Sequence, residues 1–305
     1  MKKRLPHYGN SLISGMKEAS WLGLLLLSLS PGHILAASAP DFWLAERGSQ
    51  KLWLLGSIHV GSEEMYPLSP VIMQSWASAE NLIVETDLSN SPENNQTLLN
   101  YAMLPPDTAL IRQLSEPLYR KTMDVASQYQ LKEPLLAHFR PWFIAITLQQ
   151  QAIQLAGYQP AFGIDQYFIS QAKNRQVPVT WLETPEQQLT YLANLGDIED
   201  DFLDATLQQI SKVHEDLPEL IKAWEKGDRE KIQALLDDDA TSPELQHYLK
   251  QYLIKERNQR WIPKIMAQSP ANHFIVVGAM HLYGNDGLLK LLESNGYKLT
   301  NVNTK

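Results

Sequence analysis

Short apolar runs with strand-like alternation mark two parts of the chain as β-rich, and a 3.6-residue rhythm marks the stretches between them as helical. Asp41-Phe-Trp-Leu-Ala-Glu46 and Lys51-Leu-Trp-Leu-Leu55 flank Arg47-Gly48-Ser49-Gln50, which predicts a hairpin. A helix is expected over Pro67 to Ala79, followed by a strand over Asn81-Leu-Ile-Val-Glu85, so strand, helix and strand give a parallel crossover. Gln166 to Arg175 predicts a further helix and Val177-Pro-Val-Thr-Trp-Leu182 a further strand. Toward the C-terminus, His273-Phe-Ile-Val-Val277 reads as a strand and Gly287 to Ser294 as a helix stopped by Asn295-Gly296; Tyr297-Lys-Leu-Thr300 is a candidate closing strand. Residues 97–157 and 198–262 carry helical periodicity, with breaks expected at Pro117, Pro134, Pro141, Pro218, Pro243 and Pro263. The expected fold class is therefore α/β: a mixed central sheet flanked by helices, with a large helical insertion, in one domain over residues 40–305.

The first residues obey another logic. Lys2, Lys3 and Arg4 precede the apolar run from Trp21 to Ser30, and Ala37-Ser38-Ala39 supplies a small-x-small cleavage pattern. Pro31-Gly32-His33 ends the run short of the roughly 18 apolar residues that span a bilayer. Residues 1–39 are read as a cleaved secretory signal, with an uncleaved anchor as the second reading. An exported protein, periplasmic or secreted, with no stable membrane span after cleavage is the expectation.

Composition narrows the chemistry. The 305 residues are 44% apolar, enough for a substantial core, and hold no cysteine, which removes disulfides, thiolate metal sites and a sulfur nucleophile. With 26 Lys+Arg against 34 Asp+Glu the net charge is −8, so no nucleic-acid partner is expected. The acidic clusters Asp197-Ile-Glu-Asp-Asp201 and Asp237-Asp-Asp239 lack the turn glycine and spaced ligands of a calcium loop and read as solvated helix ends. His-Glu-x-x-His, Gly-x-Ser-x-Gly and a phosphate loop are absent. His138, His214 and His247 lie in helical or boundary stretches without ligand spacing, and Trp142, Trp224 and Trp261 read as core.

Candidate chemistry gathers at strand ends. Leu52-Trp-Leu-Leu55 runs into Gly56-Ser-Ile-His59, and Phe274-Ile-Val-Val277 into Gly278-Ala-Met-His281. Two more expected strands deliver Glu85 and Glu183. Open α/β sheets bind ligands beyond the carboxyl ends of their strands, where glycine allows close approach. Two imidazoles and one or two carboxylates suit a divalent ion such as Zn, Mn or Co, with open positions for water and substrate. Each residue alone would more often be ordinary hydrogen-bonded structure; four converging is the stronger sign.

Gly56-Ser-Ile-His59-Val-Gly61, Ile83-Val-Glu85-Thr-Asp87, Pro141-Trp142, Gly163-Ile-Asp165, Leu182-Glu183 with Gln187, Arg257-Asn258 and Val277-Gly-Ala-Met-His281-Leu-Tyr-Gly284 occur in an order that resembles the TraB/PrgY/GumN family, which includes the Tiki metalloproteases and YbaP-like bacterial members. The resemblance spans nearly the whole chain after the leader. It implies a layout similar to ChaN-like and erythromycin-esterase-like proteins, with the paired Gly-x-x-His motifs and the early glutamate at the active centre. In the Tiki branch it implies metal-dependent peptide hydrolysis.

Strand-end position and motifs together assign His59, Glu85 and His281 as metal ligands, Glu85 being catalytic in that way, and Glu183 as the catalytic general base or fourth ligand. Arg257 is a candidate for an oxyanion or a substrate carboxylate, the alternative being a surface salt bridge beside Glu256; Asn258 follows it as a substrate contact. Asp165 is placed behind a histidine or at a helix cap, and Tyr283 in the pocket lining. The first functional expectation is an exported metal-dependent hydrolase of peptides or protein segments. The alternatives are a non-catalytic binder of a peptide, metal or haem, and a metal-free hydrolase with a histidine base.

Overall fold

The computed structural model describes residues 38–87, 91–236 and 241–303. The expected hairpin forms from β1 (Phe42–Arg47) and β2 (Gln50–Ser57), which pair antiparallel with Arg47 opposite Gln50. With β3 (Asn81–Val84), β4 (Val179–Trp181), β5 (Asn272–Gly278) and β6 (Lys298–Asn301) they build one six-stranded sheet in the order β4-β3-β5-β2-β1-β6. β4, β3, β5 and β2 run parallel, while β1 is antiparallel to both β2 and β6. All four parallel strands therefore end on the same edge of the sheet, and they are the four whose exits carry Glu183, Glu85, His281 and His59.

Both faces of the sheet are covered, as parallel strands require. Side-chain parity divides them. Phe42, Leu55, Leu82, Val84, Phe274 and Val276 face one core, with Trp76 and Phe168 packed edge-on or tilted against Phe274. Leu52, Leu54, Ile83, Ile275 and Val277 face the other, with Trp261, Leu282, Leu288 and Leu292.

Helices supply the rest: α1 (Pro70–Ala77), α2 (Pro92–Ala102), α3 (Leu110–Gln113), α4 (Glu116–Gln128), α5 (Glu133–Leu136), α6 (Pro141–Leu155), α7 (Ile164–Arg175), α8 (Pro185–Ala193), α9 (Glu199–Glu225), α10 (Arg229–Leu236), α11 (Pro243–Tyr248), α12 (Arg257–Met266) and α13 (Leu288–Ser294). α1 begins three residues later than expected because Ser38 pairs with the strand-like stretch before it: Ser38 N–H donates to the Pro67 carbonyl and Ser69 N–H to the Ser38 carbonyl. Pro117, Pro134, Pro141 and Pro243 sit in the first turns of α4, α5, α6 and α11, where a missing N–H costs nothing.

Pro218 and Pro263 are expected to break helices and do not; they lie inside α9 and α12. An internal proline costs roughly 3 kcal/mol, and each buried aliphatic or aromatic side chain returns about 1.5–3 kcal/mol. In α9, Ile221, Ala223 and Trp224 continue the buried face past Pro218, which is enough to carry the helix through. At the end of the helical stretch expected over residues 198–262, α11, a π-helical segment Leu249–Glu256 and α12 follow one another in unbroken succession.

The acidic run at Asp197 opens α9, with Glu199, Asp200 and Asp201 in its first turn where negative charge favours the helix N-terminus. Asp237 to Asp239 lie outside the described residues, as do residues 1–37 of the expected leader. Ser38 and Ala39, its last two residues, are bonded into the fold, Ala39 N–H donating to the Glu225 carbonyl. Among the described residues no helix is long and apolar enough to cross a membrane.

Candidate functional site

Beyond the ends of the parallel strands the chain turns sharply, and the turns bring His59, Glu85 and His281 around the Cα of Gly278. A Cβ placed there would stand 3.3 Å from Glu85 Oε1, 3.5 Å from His59 Nε2 and 3.6 Å from His281 Cδ2. Glycine is needed because a side chain would enter the space these groups share. Gly278 also donates its N–H to Glu85 Oε1 at 2.6 Å, fixing the carboxylate against the β5 exit.

Each histidine is held from behind through Nδ1. His59 Nδ1 lies 2.8 Å from Asp165 Oδ2, and Ser57 Oγ donates to the other Asp165 oxygen at 2.9 Å. This requires the start of α7 to pack on the residues around His59; Gly163 permits it, since a Cβ there would fall 2.4 Å from the His59 carbonyl oxygen. His281 Nδ1 lies 2.8 Å from Asn258 Oδ1, while Asn258 Nδ2 donates to the carbonyls of His281 and Asp286. Nε2 of His281 faces Nη1 of Arg257 at 3.1 Å. Because an arginine only donates, His281 carries its proton on Nδ1 and accepts at Nε2.

Arg257 ties the cluster together and is buried, contrary to the surface alternative; Glu256 pairs with Arg260 instead. Its Nη2 donates to Glu85 Oε2 and to Glu183 Oε1 at 2.6 Å, and its Nε to Glu183 Oε2 at 3.2 Å. Nη1 also reaches the Leu253 carbonyl in the π-helical segment, and the guanidinium lies 4.6 Å over the Trp261 ring. Trp261 in turn packs on His281 with centroids 4.4 Å apart.

These contacts push the ionisable groups apart. Burial drives His281 down to about 3 against the pull of Glu85, so it is neutral at ordinary pH. Burial pushes Glu85 up, but the positive groups and the Gly278 N–H outweigh it and hold the carboxyl at about 2. Where Glu85 titrates, His281 is protonated and is the strongest of those positive groups, ahead of Arg257 and His59. Burial raises Glu183 even though Arg257 opposes it. The Asp165 carboxylate raises His59 to about 9, overcoming burial. Its side chain is 58% accessible and open toward the cleft.

His59 therefore favours the folded state fully below pH 6.5, and that contribution fades as pH rises through about 9. Asp165→Asn is expected to return the His59 pKa most of the way to 6.5, read by NMR titration of the imidazole. A pKa that stays near 9 would show that another group protonates it.

The expected site residues are placed unequally, and of the two positions considered for Asp165 the one behind a histidine is the one it takes. His59, Glu85, Arg257 and His281 line a cavity of about 360 Å³. Glu183, Asn258 and Asp165 do not line it: Glu183 braces Arg257, Asn258 braces His281 and Asp165 braces His59, each turned to its partner by the bonds just described. The Tyr283 hydroxyl donates to Asp41 at 2.8 Å, and its ring lines a neighbouring cavity rather than this one. Sequence reading did not find Gln188, whose amide is 3.5 Å from Glu85 Oε2, or the apolar walls of the cleft. Trp224, expected in the core, is buried, donates to the Gly56 carbonyl at 2.7 Å and forms part of one wall.

The donors suit a divalent cation in kind, and histidines fixed through Nδ1 with Nε2 turned inward are arranged as metal ligands are. An ion at His59 Nε2 would replace the second proton of its imidazolium. Among the described residues no three His, Asp or Glu side chains stand at ligating separation. His281 Nε2 and Glu85 Oε1 are 3.9 Å apart, and Arg257 contacts both residues.

The model of the TraB/PrgY/gumN family matches residues 41–301, and the chain belongs to that family. It is similar to the uncharacterized protein YbaP of Escherichia coli (strain K12), with 29% identity over 265 residues covering 82% of this chain and 96% of the relative. YbaP of Shigella flexneri matches to the same extent. No solved structure matches the chain significantly.

Proposed function

We propose that this TraB/PrgY/gumN protein is an exported metal-dependent hydrolase of peptide bonds, working in the cleft above Gly278. The observation that carries the reading is the gathering of His59, Glu85 and neutral His281 around Gly278, each fixed from behind by Asp165, Gly278 N–H or Asn258. His59, Glu85 and His281 would hold the ion. When bound, it supplies Lewis acidity for a carbonyl and for an attacking water. The protein adds the rest: Arg257, itself buried and aimed by the two-oxygen grip of Glu183, stabilises negative charge developing on the substrate oxygen. Glu85, anionic at neutral pH, supplies the negative charge that the ion would face.

A second reading has its own support. The His59–Asp165 pair with Nε2 open to the cleft is an acid–base unit in itself, and Arg257 occupies the centre beside His281. A metal-free hydrolase would use these groups and resist chelators.

Elemental analysis of protein purified without chelator and soaked with Zn, Mn or Co separates the readings. About one ion per chain, lost in His59→Ala and His281→Ala, with peptide cleavage that EDTA stops, is the expected result. Cleavage without an ion favours the second reading. Neither ion nor cleavage defeats both.

A further inference from the structure

The floor of the cleft is charged and its walls are apolar. Leu220 of α9, Leu253 and Ile254 of the π-helical segment, Ile232 of α10 and Met280 after β5 rise around His59 and Glu85. Leu220, Leu253 and Ile254 are half-buried and Met280 is 45% exposed, so apolar surface stands open directly beside the candidate reacting groups. A second cavity, about 260 Å³, shares Ile232, Ile254 and Met280 with the first and continues to Gln233, Asn285 and Asp286. The shared walls make one groove, apolar over the centre and polar at its far end. A volume of about 360 Å³ is at the small end of the roughly 300–1,000 Å³ of ligand pockets, which fits one large side chain with its backbone rather than a broad ligand.

Resting on the peptidase reading, we infer that the substrate is a peptide carrying a large aliphatic or aromatic side chain on a residue adjoining the cleaved bond. That side chain sits among Leu220, Leu253, Ile254 and Met280, and the peptide continues over Met280 toward Asn285 and Asp286. The apolar walls gain by being covered, whereas a charged side chain of either sign in the same place would lose its hydration against them. Filling such a pocket with a large apolar side chain in place of alanine is worth about 10- to 100-fold.

The test uses a randomised decapeptide library in two arms. In one, metal-loaded protein cleaves the library and the products are sequenced by mass spectrometry. In the other, chelator-treated immobilised protein retains peptides, which are sequenced in turn. Leu, Ile, Met and Phe are expected to exceed Ala about 10- to 100-fold at one position beside the cut and to be enriched in the retained pool. Leu253→Ser and Ile254→Ser should shrink that preference about tenfold, and Ile254→Val should keep it. Cleavage without apolar preference, or with a preference that neither serine variant moves, overturns the inference while the hydrolase reading stands. Apolar enrichment in the retained pool, lost in the serine variants, with no cleavage, upholds the groove and defeats the hydrolase reading. Neither cleavage nor enrichment overturns the inference as well.

Discussion

Arg257→Ala is expected to lose about 3–5 kcal/mol of folding stability at pH 7.5, as breaking a buried ion pair from one side does. Two carboxylates, Glu85 and Glu183, would remain buried and face each other without their shared cation. The loss should shrink with acid. In the parent, Glu85 is held at about 2, below its ordinary 4.5, so its contribution is present above pH 4.5 and fades as pH falls toward 2. In the variant, burial and mutual repulsion would place the carboxyl pKa values above 4.5, so the folded state takes up protons and recovers stability as pH drops. Urea midpoints of parent and variant should therefore diverge at pH 7.5 and draw together near pH 5. Arg257→Lys should fall between them, because an ammonium cannot reproduce the planar fork that grips both Glu183 oxygens while reaching Glu85. A loss below 1 kcal/mol, or one independent of pH, would mean that the carboxylates find other partners.

Glu85→Gln keeps the shape of the side chain and should lower kcat/KM for the proposed peptide hydrolysis by about 10³-fold, the size of losing one charged or hydrogen-bonding group at a reacting centre. Glu85 accepts from Gly278 N–H through one oxygen and from Arg257 through the other. An amide has one acceptor, so either Gly278 or Arg257 would face an NH₂ donor. Metal content measured on the same protein should fall with the rate. Glu183→Gln is the internal comparison: lying behind Arg257 and outside the cleft, it should cost less. A fall of under tenfold for Glu85→Gln, or a larger one for Glu183→Gln, would remove Glu85 from the reacting centre.

The strands and their exits were legible because they are local. Leu52 to Leu55 and Phe274 to Val277 are apolar runs that need burial on both faces, and Gly56 and Gly278 mark where each chain turns out of the sheet. A residue one to four positions past a strand stays near its end, so His59, Glu85, Glu183 and His281 could be placed on one edge before any pairing was known. Pro218 and Pro263 misled for the complementary reason: a proline states a local cost, and only the packed faces of α9 and α12 show that burial exceeds it.

Roles within the site were beyond local reading. Arg257 beside Glu256 gave no sign of being buried, since its partners Glu183 and Glu85 lie 74 and 172 positions away. Asn258 is a polar residue that a sequence cannot distinguish from a substrate contact; Asp165 could be read as backing a histidine or capping a helix, and it reaches His59 across 106 positions because α7 starts against the β2 exit. Hydrophobic alternation and glycine act over a few residues, so the order of amino acids was enough to say which side chains stand at the strand ends. Which of them meet the cleft, which brace another, and which charge is buried with which came from the folded chain, because desolvation and hydrogen-bond partnership depend on groups that only folding brings together.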